Sequence, residues 1–458
     1  MFSLSELSSI LNAKLVGDGY IAPGGVCLDS RTIQGGECFI ALRAERDGHD
    51  YAVSAVEGGA SCLLVDHLLD IKISQLVAAD TTAALQSWGQ ARLRKYRPGA
   101  VFAVTGSVGK TSTKELLAGA VSAWKTPGNR NNTYGLPAAL AALPGGLKAA
   151  VLEMGMSTPG EIRRLTEIAP PDFGVITNIG LAHLENFSDG QEGVAKAKGE
   201  LAMGLKPGGP WVFPADDPWC RWISQQPWAS GTKPVPVGKG ADFSVKSIKS
   251  LGLKGEEFTL QTPMGAFEFT IRLTGPHQAQ NAALAASIAL IAGHNGDEIM
   301  LGLAGVEPEE GRGRLYPLIG GGWLLDESYN ACQESVVSCA RALLSLEGGE
   351  PVAVLGCMRE LGPDSASIHI ATGKALRRAG ISRLWVYGDF AADLSAGFGP
   401  GAYAYPDYET LEPALADLPR GARALVKGSR YWKSERAVGY LLKQFGGAKK
   451  AGIKEKST

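Results

Sequence analysis

The segment VFAVTGSVGKTSTKE at residues 101–115 restricts the possible folds of this chain more than any other feature. Its apolar start is typical of a buried strand that ends at Gly106, and a helix is predicted from about Lys110. A strand that leads through a glycine-bearing loop to the N-terminus of a helix presents backbone N–H groups to an anion. The segment therefore predicts a polyphosphate-binding loop within an α/β domain.

The side chains of this loop add the groups that a nucleotide needs. Lys110 supplies positive charge for the outer phosphates, and the Thr111 hydroxyl is a ligand for Mg²⁺. The strict pattern GxxxxGK[ST] is not met, because Val104 stands at its first glycine position, and the form present is TGxxGKT. The alternative is a glycine-rich turn with a surface lysine, but the strand before the loop and the helix after it favour a phosphate site. The predicted loop residues are Thr105, Gly106, Ser107, Val108, Gly109, Lys110, Thr111 and Ser112.

Changes in the hydrophobic pattern divide the chain into three α/β domains. Residues 1–97 predict a small N-terminal unit. Its helices are predicted at 3–12, 50–58 and 82–96. Residues 98–310 predict a central domain, in which buried strands alternate with helices, as in a parallel sheet covered on both faces. A strand-rich stretch at 235–275 indicates a small antiparallel insert, and an Ala-rich helix is predicted at 278–292.

A third domain is predicted beyond a break at 306–314. There the alternation resumes, and residues 311–458 predict a Rossmann-like α/β unit. Its helices are predicted at 333–346, 365–379 and 432–444. The pattern GxGxxG does not occur in it, which argues against a dinucleotide site. The Gly/Lys-rich tail at 446–458 is predicted to be disordered.

Bulk properties narrow the class of protein. The 458 residues suggest two to four domains at roughly 100–200 residues each. A net charge of -1 indicates no general attraction to nucleic acid or membranes. The seven cysteines are scattered singly without metal-type spacing, which favours a reduced, cytoplasmic setting. We identify no signal-peptide pattern and no run near the ~20 apolar residues of a membrane span, so we expect a cytoplasmic protein.

Two more polar residues follow predicted strands of the central domain. Glu153 ends the apolar run LKAAVLEMG, and His183 follows FGVITNIG. Ligand sites of open α/β sheets form beyond the carboxyl ends of the strands, and a carboxylate there is a ligand for Mg²⁺, directly or through water. The alternative for Glu153 is a helix cap or a solvated glutamate. A lone histidine such as His183 is by itself more often structural than a ligand.

The loop TGSVGKT resembles the ATP loop of the Mur ligase family, and the resemblance extends over essentially the whole chain. The other segments that carry it are, in chain order, CLDSRTIQGGECFIALRAERDGHDY, NRNNTYGLP, LEMGMSTPGEI, TNIGLAHLENF, GVAKAKGEL, GPHQAQNAALAA, DESYNACQES, VLGCMRELG and LVKGSR. Each segment is a weak signal alone, but their order makes coincidence improbable. Within the family, the chain is most similar to the members that add D-alanyl-D-alanine.

The resemblance implies an ATP-dependent, ADP-forming amide ligase. Such an enzyme joins D-alanyl-D-alanine to UDP-N-acetylmuramoyl-tripeptide through an acyl phosphate and yields the pentapeptide precursor of peptidoglycan. It implies ATP and Mg²⁺ as cofactors, a UDP-binding N-terminal module, a cytoplasmic location and a monomer without nucleic acid. The alternatives are a sister Mur-type or folylpolyglutamate-type ligase that adds one amino acid, a non-catalytic nucleotide-binding paralogue, and a nucleotide switch or motor.

The resemblance also assigns roles to individual residues. It implies that Lys110, Lys198, Glu153 and His183 are catalytic, and that Thr111, Glu153, His183 and a carbamylated Lys198 hold metal. Lys196 is the neighbouring alternative to Lys198, and the order A-K-x-E favours Lys198. Further ATP contacts are expected from Asn281, Arg312, Arg314, Asp326, Tyr329 and Asn330, with Arg312 preferred over Arg314 for the γ-phosphate. The UDP substrate is expected to contact Ser30, Arg31, Asn131 and Asn132.

Some residues depart from the family pattern. They are Ala44, Gln278, Cys332, Gln333 and Cys357. None belongs to the phosphate loop or to the expected metal ligands, so catalysis is expected to be retained. The departures at 332, 333 and 357 lie in the third domain, where the incoming dipeptide is expected to bind.

Overall fold

A computed structural model describes residues 1–447 of the chain. It has the three-domain α/β architecture that the sequence predicts. The predicted tail at 446–458 is described only at its first two residues, where Gly446 forms a β-bridge with Leu318, and the rest lies outside the described residues.

The N-terminal domain is a five-stranded sheet with helices against it. Its helices are α1 (Leu4–Leu11), α2 (Ala52–Glu57) and α3 (Thr81–Lys95). Its strands are β1 (Lys14–Val16), β2 (Val26–Cys27), β3 (Cys38–Ile40), β4 (Cys62–Val65) and β5 (Gln75–Val77). The strand order is β1-β5-β4-β3-β2, and only β1 runs antiparallel to its neighbour. All four residues of β4 are buried, as expected for an apolar strand at the centre of a covered sheet.

The central domain contains a six-stranded parallel sheet and a three-stranded antiparallel sheet. The first sheet is formed by β6 (Ala100–Thr105), β7 (Trp124–Lys125), β8 (Ala149–Glu153), β9 (Phe173–Ile176), β10 (Pro210–Pro214) and β11 (Lys233–Val237). The insert consists of β12 (Ser244–Ser250), β13 (Glu256–Thr262) and β14 (Gly265–Ile271). The helices are α4 (Lys110–Ala120), α5 (Gly135–Ala141), α6 (Glu161–Ile168), α7 (Gly190–Met203), α8 (Pro218–Ser224), α9 (Pro276–Ile291) and α10 (Gly296–Ala304).

The order of the parallel strands, β11-β10-β9-β6-β8-β7, places β6 in the middle. From β6 the chain goes to one side of the sheet through β7 and β8, and it then returns to the other side through β9. This reversal makes the carboxyl end of β6 a topological switch point, where α/β sheets bind ligands. The edge strand β11, with the sequence KPVPV, was not predicted, and its two prolines are tolerated because an edge strand has unpaired N–H positions.

The third domain also has a six-stranded sheet, in the order β15-β16-β20-β17-β18-β19. Its strands are β15 (Arg314–Leu318), β16 (Gly322–Glu327), β17 (Pro351–Gly356), β18 (Arg383–Tyr387), β19 (Ala402–Tyr405) and β20 (Arg423–Lys427). Its helices are α11 (Gln333–Leu344), α12 (Ser365–Ala379), α13 (Ala391–Phe398), α14 (Tyr408–Leu411) and α15 (Glu435–Phe445). All neighbouring strands are parallel except β15 and β16.

Helix α3 joins the N-terminal domain to the central one. It packs against α5, and Ala138 and Ala141 of α5 belong to the same hydrophobic core as Leu85 and Trp88 of α3. Across this contact the side chain of Arg92 donates to the carbonyl of Leu143 at 2.8 Å. Among the helices in the described part of the chain, none combines the length and the apolar character that crossing a membrane requires.

Candidate active site

The phosphate loop lies where three neighbouring strands end. It follows β6, and β6 pairs with β8 on one side and with β9 on the other. The pairing places Val104 opposite Glu153, and Thr105 opposite Ile176. Glu153 and Thr177 therefore lie beside the loop, as the sequence predicted for Glu153.

Two glycines give the loop its shape. Gly106 has a φ of 148°, and a Cβ atom there would lie 1.9 Å from Oγ1 of Thr177. Gly109 has a φ of 81°, and a Cβ atom there would lie 2.8 Å from Oδ1 of Asn281. Both positions require glycine because of the backbone conformation and the close neighbours. The second contact also shows that Asn281 of α9 lies against the loop. This is the position that its predicted contact with ATP requires.

The segment after β9 fixes the loop from outside. Oδ1 of Asn178 accepts hydrogen bonds from the amides of Ser107 at 3.1 Å and Val108 at 2.8 Å. In return, Oγ of Ser107 accepts from the amide of Gly180 at 2.8 Å. Asn178 was not predicted from the sequence, although its place in TNIG, just after a strand beside the loop, was an available signal.

The beginning of α4 is suited to an anion. Within residues 1–447, no side chain caps this helix, whose N-cap is Gly109. The Nζ atom of Lys110 donates to the carbonyls of Gly106 at 2.8 Å and Ser107 at 3.3 Å, so the ammonium lies over the loop. Burial lowers the pKa of Lys110, and the charge of Arg312 adds to this effect. Free helix amides and two converging cations fit a polyphosphate.

Glu153 is almost fully buried at the cavity wall, with 1% of its surface exposed. Its Oε2 atom accepts from the Thr111 hydroxyl at 2.9 Å, and its Oε1 atom accepts from Nδ2 of Asn131 at 2.7 Å. The hydroxyl and the carboxylate are hard oxygen donors, which is the chemistry that Mg²⁺ prefers. These residues therefore fit the metal that the sequence predicted.

The two candidate lysines of α7 have opposite environments. Lys198 is 1% exposed, and its burial, reinforced by the charge of Lys110, lowers its pKa well below the ordinary value. The side chain of Lys196 is half exposed and forms an ion pair with Glu192 at 2.9 Å. Only Lys198 thus lies inside the domain next to the site, and only its amine is driven toward the neutral form that can react with CO₂.

His183 is at the boundary between the central and third domains. Its φ of 64° is unusual for a residue with a side chain, and it directly precedes a short 3₁₀ helix, Leu184–Asn186. Its Nδ1 atom lies 2.5 Å from Oε2 of Glu360 in the third domain. His183 is the principal cause that lowers the pKa of Glu360. The sequence predicted His183 but not Glu360.

The third domain contributes an arginine and an aromatic ring. The guanidinium of Arg312 lies 3.8 Å from the ring centre of Tyr329 and faces the same cavity as the phosphate loop. Arg314 is outside the cavity lining, 3.8 Å from Glu310. Between the two arginines predicted from GRGR, the geometry favours Arg312.

Asp326 lies beneath the cavity surface. Its carboxylate accepts from the amides of Gly311 and Ser328, both at 3.1 Å, and burial raises its pKa. It therefore shapes the turn that carries Arg312 and Tyr329. A direct contact of Asp326 with a nucleotide stays a prediction.

A cavity of about 1120 Å³ joins these groups and is lined by both domains. The predicted residues that line it are Ser107, Val108, Gly109, Lys110, Thr111, Ser112, Asn131, Asn132, Glu153, His183, Asn281, Arg312, Tyr329 and Asn330. The predicted residues outside its lining are Ser30, Arg31, Thr105, Gly106, Lys198, Arg314 and Asp326. Thr105 and Gly106 carry the chain into the loop, and Lys198 is buried behind the wall.

Ser30 and Arg31 belong to a separate surface. They form a 3₁₀ turn, Ser30–Thr32, in the N-terminal domain. The side chain of Arg31 is 84% exposed and pairs with Asp29 at 2.6 Å, which lowers the pKa of Asp29. The structure thus places these two residues on the N-terminal domain outside the cavity lining, and their contact with the UDP substrate stays a prediction.

Three of the residues that depart from the family pattern, Gln278, Cys332 and Cys357, are accommodated locally. Oε1 of Gln278 accepts from Nδ2 of Asn281 at 3.1 Å and so orients that asparagine. Cys332 lines the cavity, and Cys357 is buried, which raises its thiol pKa to about 12. None of these three disturbs the phosphate loop or the Thr111–Glu153 pair.

Comparisons with known proteins identify the family to which such a fold and site belong. Two family profiles match the chain: "Mur ligase middle domain" over residues 104–289, and "Mur ligase, glutamate ligase domain" over residues 311–430. A relative from Escherichia coli (strain K12), the UDP-N-acetylmuramoyl-tripeptide--D-alanyl-D-alanine ligase, is 37% identical over 454 residues, which cover 95% of this chain and 97% of the relative.

Solved structures are similar over nearly the same length. A crystal structure of MurF from Acinetobacter baumannii superposes with a TM-score of 0.88 at 30% identity, and covers 96% of this chain and 99% of its own. The structure of MurF ligase from Thermotoga maritima in complex with ADP has a TM-score of 0.79 at 28% identity, and covers 92% of this chain and 97% of its own.

Proposed function

Because this chain belongs to the Mur ligase family, among the members that add D-alanyl-D-alanine, we propose that it joins D-alanyl-D-alanine to UDP-N-acetylmuramoyl-tripeptide with cleavage of ATP to ADP and phosphate. The observation that carries the proposal is the cavity itself. It brings a phosphate loop, a buried carboxylate and an arginine of the third domain together. This arrangement suits transfer of the γ-phosphate, and the amine that then attacks follows from the family to which the chain belongs.

The reaction has two balanced steps. The terminal carboxylate of the tripeptide attacks the γ-phosphorus of ATP. The bond between the γ-phosphorus and the oxygen of ADP breaks, and an acyl phosphate forms. The amine of the dipeptide then attacks the acyl carbon, inorganic phosphate leaves, and the nitrogen loses a proton to give the amide. The first step brings two anions together, and the second develops negative charge on the acyl oxygen, so catalysis depends on fixed positive charge and on positioning.

We assign the phosphate-handling roles to the central domain. Residues 105–112 and the N-terminus of α4 hold the phosphates, and Lys110 neutralises charge on the transferred group. Thr111, Glu153 and His183 are the proposed metal ligands, and bound Mg²⁺ would offset charge on the β- and γ-phosphates. Lys198, as a carbamate, would add oxygen ligands where an ammonium would repel the metal.

The remaining contacts are assigned by position. Asn281, Arg312, Tyr329 and Asn330 surround the nucleotide, and Arg312 is the proposed γ-phosphate contact. Asp326 supports their turn, and Arg314 is kept as the second candidate. Asn131 and Asn132 face the muramoyl peptide inside the cavity, whereas Ser30 and Arg31 are proposed to contact the uridine diphosphate on the N-terminal domain. The proposed setting is the cytoplasm, with the chain acting as a monomer.

The test is phosphate release with ATP, Mg²⁺, UDP-N-acetylmuramoyl-tripeptide and a panel of amines. Turnover is expected with D-alanyl-D-alanine and only when the UDP-peptide is also present. Turnover with a single amino acid such as meso-diaminopimelate, and none with the dipeptide, would assign the chain to a sister ligase instead. Nucleotide binding without turnover under all conditions would indicate a non-catalytic paralogue.

A further inference from the structure

Lys114 lies four residues beyond Lys110 on α4, and none of the roles above uses it. Its side chain has no solvent exposure, which is rare for lysine because a buried ammonium is unfavourable unless it is paired. Its Nζ atom donates to the carbonyls of Thr126 at 3.1 Å and Gly128 at 2.8 Å. The buried ammonium therefore binds the segment that follows β7.

The same ammonium lies between two carboxylates. Its Nζ atom is 3.2 Å from Oε1 of Glu115 and 3.7 Å from Oε2 of Glu153. Glu115 has a second cation, since Lys125 pairs with its other oxygen. Burial raises the pKa of Glu115, but the two lysines together bring it below its ordinary value. Within residues 1–447, Lys125 forms an ion pair with Glu115, whereas Lys114 pairs with both Glu115 and Glu153. Lys114 therefore links this ion-pair cluster to the proposed metal ligand.

The segment that Lys114 holds is itself bonded to Glu153. The Thr126 hydroxyl accepts from the amide of Glu153 at 3.1 Å. Asn131 donates through Nδ2 to Oε1 of Glu153, and its carbonyl accepts from the amide of Gly155 at 2.7 Å. Lys114 thus restrains Glu153 twice, once through its charge and once through residues 126–131.

We propose that Lys114 is a positioning residue, whose buried ammonium holds the carboxylate of Glu153 in the orientation in which it and Thr111 bind Mg²⁺. The inference rests on the proposed role of Glu153 as a magnesium ligand. Partners that orient a metal ligand commonly contribute about 10–100-fold to metal affinity. Without the ammonium, Glu153 would lose a counter-charge and a restraint on the neighbouring segment.

The experiment measures ATP binding to the full chain by calorimetry, without Mg²⁺ and over a Mg²⁺ titration. For Lys114→Met, the Mg²⁺ concentration at half-maximal enhancement of ATP binding is expected to rise about 10–100-fold. ATP affinity without Mg²⁺ should stay close to the wild-type value, because the phosphate loop is retained. Lys125→Met is the matched control: it removes the other cation beside Glu115 and should leave the Mg²⁺ dependence as in the wild type.

Two more variants separate positioning from folding. Lys114→Arg keeps the charge and should restore much of the Mg²⁺ affinity, and Lys114→Gln replaces Lys114→Met if the methionine variant does not fold. A lower melting temperature with an unchanged Mg²⁺ titration would overturn the inference, as would equal shifts in the Lys114→Met and Lys125→Met proteins.

A double-mutant cycle with Glu153→Gln distinguishes this inference from the proposed function. If Lys114 acts through Glu153, the double variant should show the same Mg²⁺ titration as Glu153→Gln alone, since coupled residues are not additive. Fully additive shifts would overturn the positioning role. If Glu153→Gln alone leaves the titration unchanged, the metal role of Glu153 is wrong, and with it the premise of the inference.

Discussion

The two walls of the cavity are built differently. The central-domain wall, formed by residues 107–112 and Glu153, is connected by hydrogen bonds within one domain. They include the buried bond from Thr111 to Glu153 and the two from the Ser107 and Val108 amides to Asn178. The third-domain wall, formed by Arg312, Tyr329 and residues 358–362, faces it across the gap. The side chain of Glu360 is 51% exposed, whereas that of Glu153 is 2% exposed.

This difference shows where the chemistry is prearranged. All the proposed metal ligands and the phosphate loop belong to the central domain, so in the proposed function this wall binds phosphate and metal with groups of its own domain. The third-domain wall reaches it through contacts such as Glu334, whose Oε1 atom accepts from the amide of Leu181 at 3.2 Å, and His183 beside Glu360. Substitutions in the central wall should therefore reduce catalysis most, and those in the third-domain wall should act more weakly.

The largest effect is expected for Lys198→Ala. The loss of a carbamate that binds metal should lower kcat by about 10³, the upper range for removal of one electrostatic stabiliser. Short-chain carboxylic acids added to this variant should restore part of the rate, because they supply the missing oxygens. The measurement is steady-state phosphate release, with Lys196→Ala as the matched control, because Lys196 is on the same helix but half exposed.

A Lys196→Ala protein that is inactive, beside an active Lys198→Ala protein, would show that the lysine assignment is reversed. If both keep wild-type rates, the carbamate role is excluded. Loss of activity in Lys198→Ala without rescue by any carboxylic acid would restrict Lys198 to a packing role.

Lys110→Ala tests the central wall at the phosphates. We expect kcat to fall by about 10²–10³, because one fixed charge on the transferred group is removed. The melting temperature should stay near the wild-type value, since the hydrogen bonds of the ammonium within residues 1–447 go to two loop carbonyls. Wild-type turnover would contradict the phosphate-loop role, and a large loss of thermal stability would mean that the lysine is structural.

The third-domain wall is tested by the pair Arg312→Ala and Arg314→Ala. A charged hydrogen bond contributes about 1.5–3 kcal/mol, so loss of the γ-phosphate contact should lower kcat/KM for ATP roughly 10–100-fold in the Arg312 variant. Arg314→Ala should have little effect, because Arg314 pairs with Glu310 outside the cavity lining. The opposite result in steady-state kinetics would assign the γ-phosphate contact to Arg314.

The same two walls differ in how far the sequence predicted them. Residues 105–112, Glu153 and the strands that carry them were predicted because the relevant signals are local: a loop pattern and apolar runs that end in polar residues. Lys198 was preferred over Lys196 only because of the family resemblance. The structure adds a physical difference, since Lys198 is buried and Lys196 is half exposed. Asn178 and Lys114 were missed because their roles depend on partners that only the folded sheet brings near.

Elements with weak hydrophobic signals were also missed. The two-residue strand β7 and the proline-containing β11 form the edges of the central sheet, where few residues are buried. The helix predicted at 432–444 begins later, at Glu435, because Lys433 has a φ of 51° and interrupts the pattern. The repeated GRGR sequence also cannot show that Arg312 lies against the Tyr329 ring at the cavity while Arg314 lies outside the cavity lining.

The smallest expected effect concerns pH and the third-domain wall. His369 on α12 is fully buried, with its Nδ1 atom 2.6 Å from the carbonyl of Ser365, while its Nε2 atom accepts from the amide of Met358 at 3.0 Å. This pattern requires the neutral ring, which donates through Nδ1 and accepts through Nε2. Met358 directly precedes Arg359 and Glu360, so the neutral ring holds the segment that faces His183.

Burial lowers the pKa of His369 below its ordinary value of 6.5. The unfolded chain therefore binds a proton at a higher pH than the folded chain does. The free energy of unfolding should be constant with respect to this group above about pH 6.5 and should fall below it, by up to about 1.4 kcal/mol per pH unit for one proton. The loss ends where the folded state also becomes protonated.

Urea unfolding from pH 5 to pH 8 measures the slope of the unfolding free energy against pH. The variant His369→Gln retains an acceptor for the Met358 amide and should reduce this slope by the contribution of one proton. An equal slope in both proteins would mean that His369 does not contribute to the loss of stability at low pH. The two walls would then differ in solvent exposure and not in their response to acid.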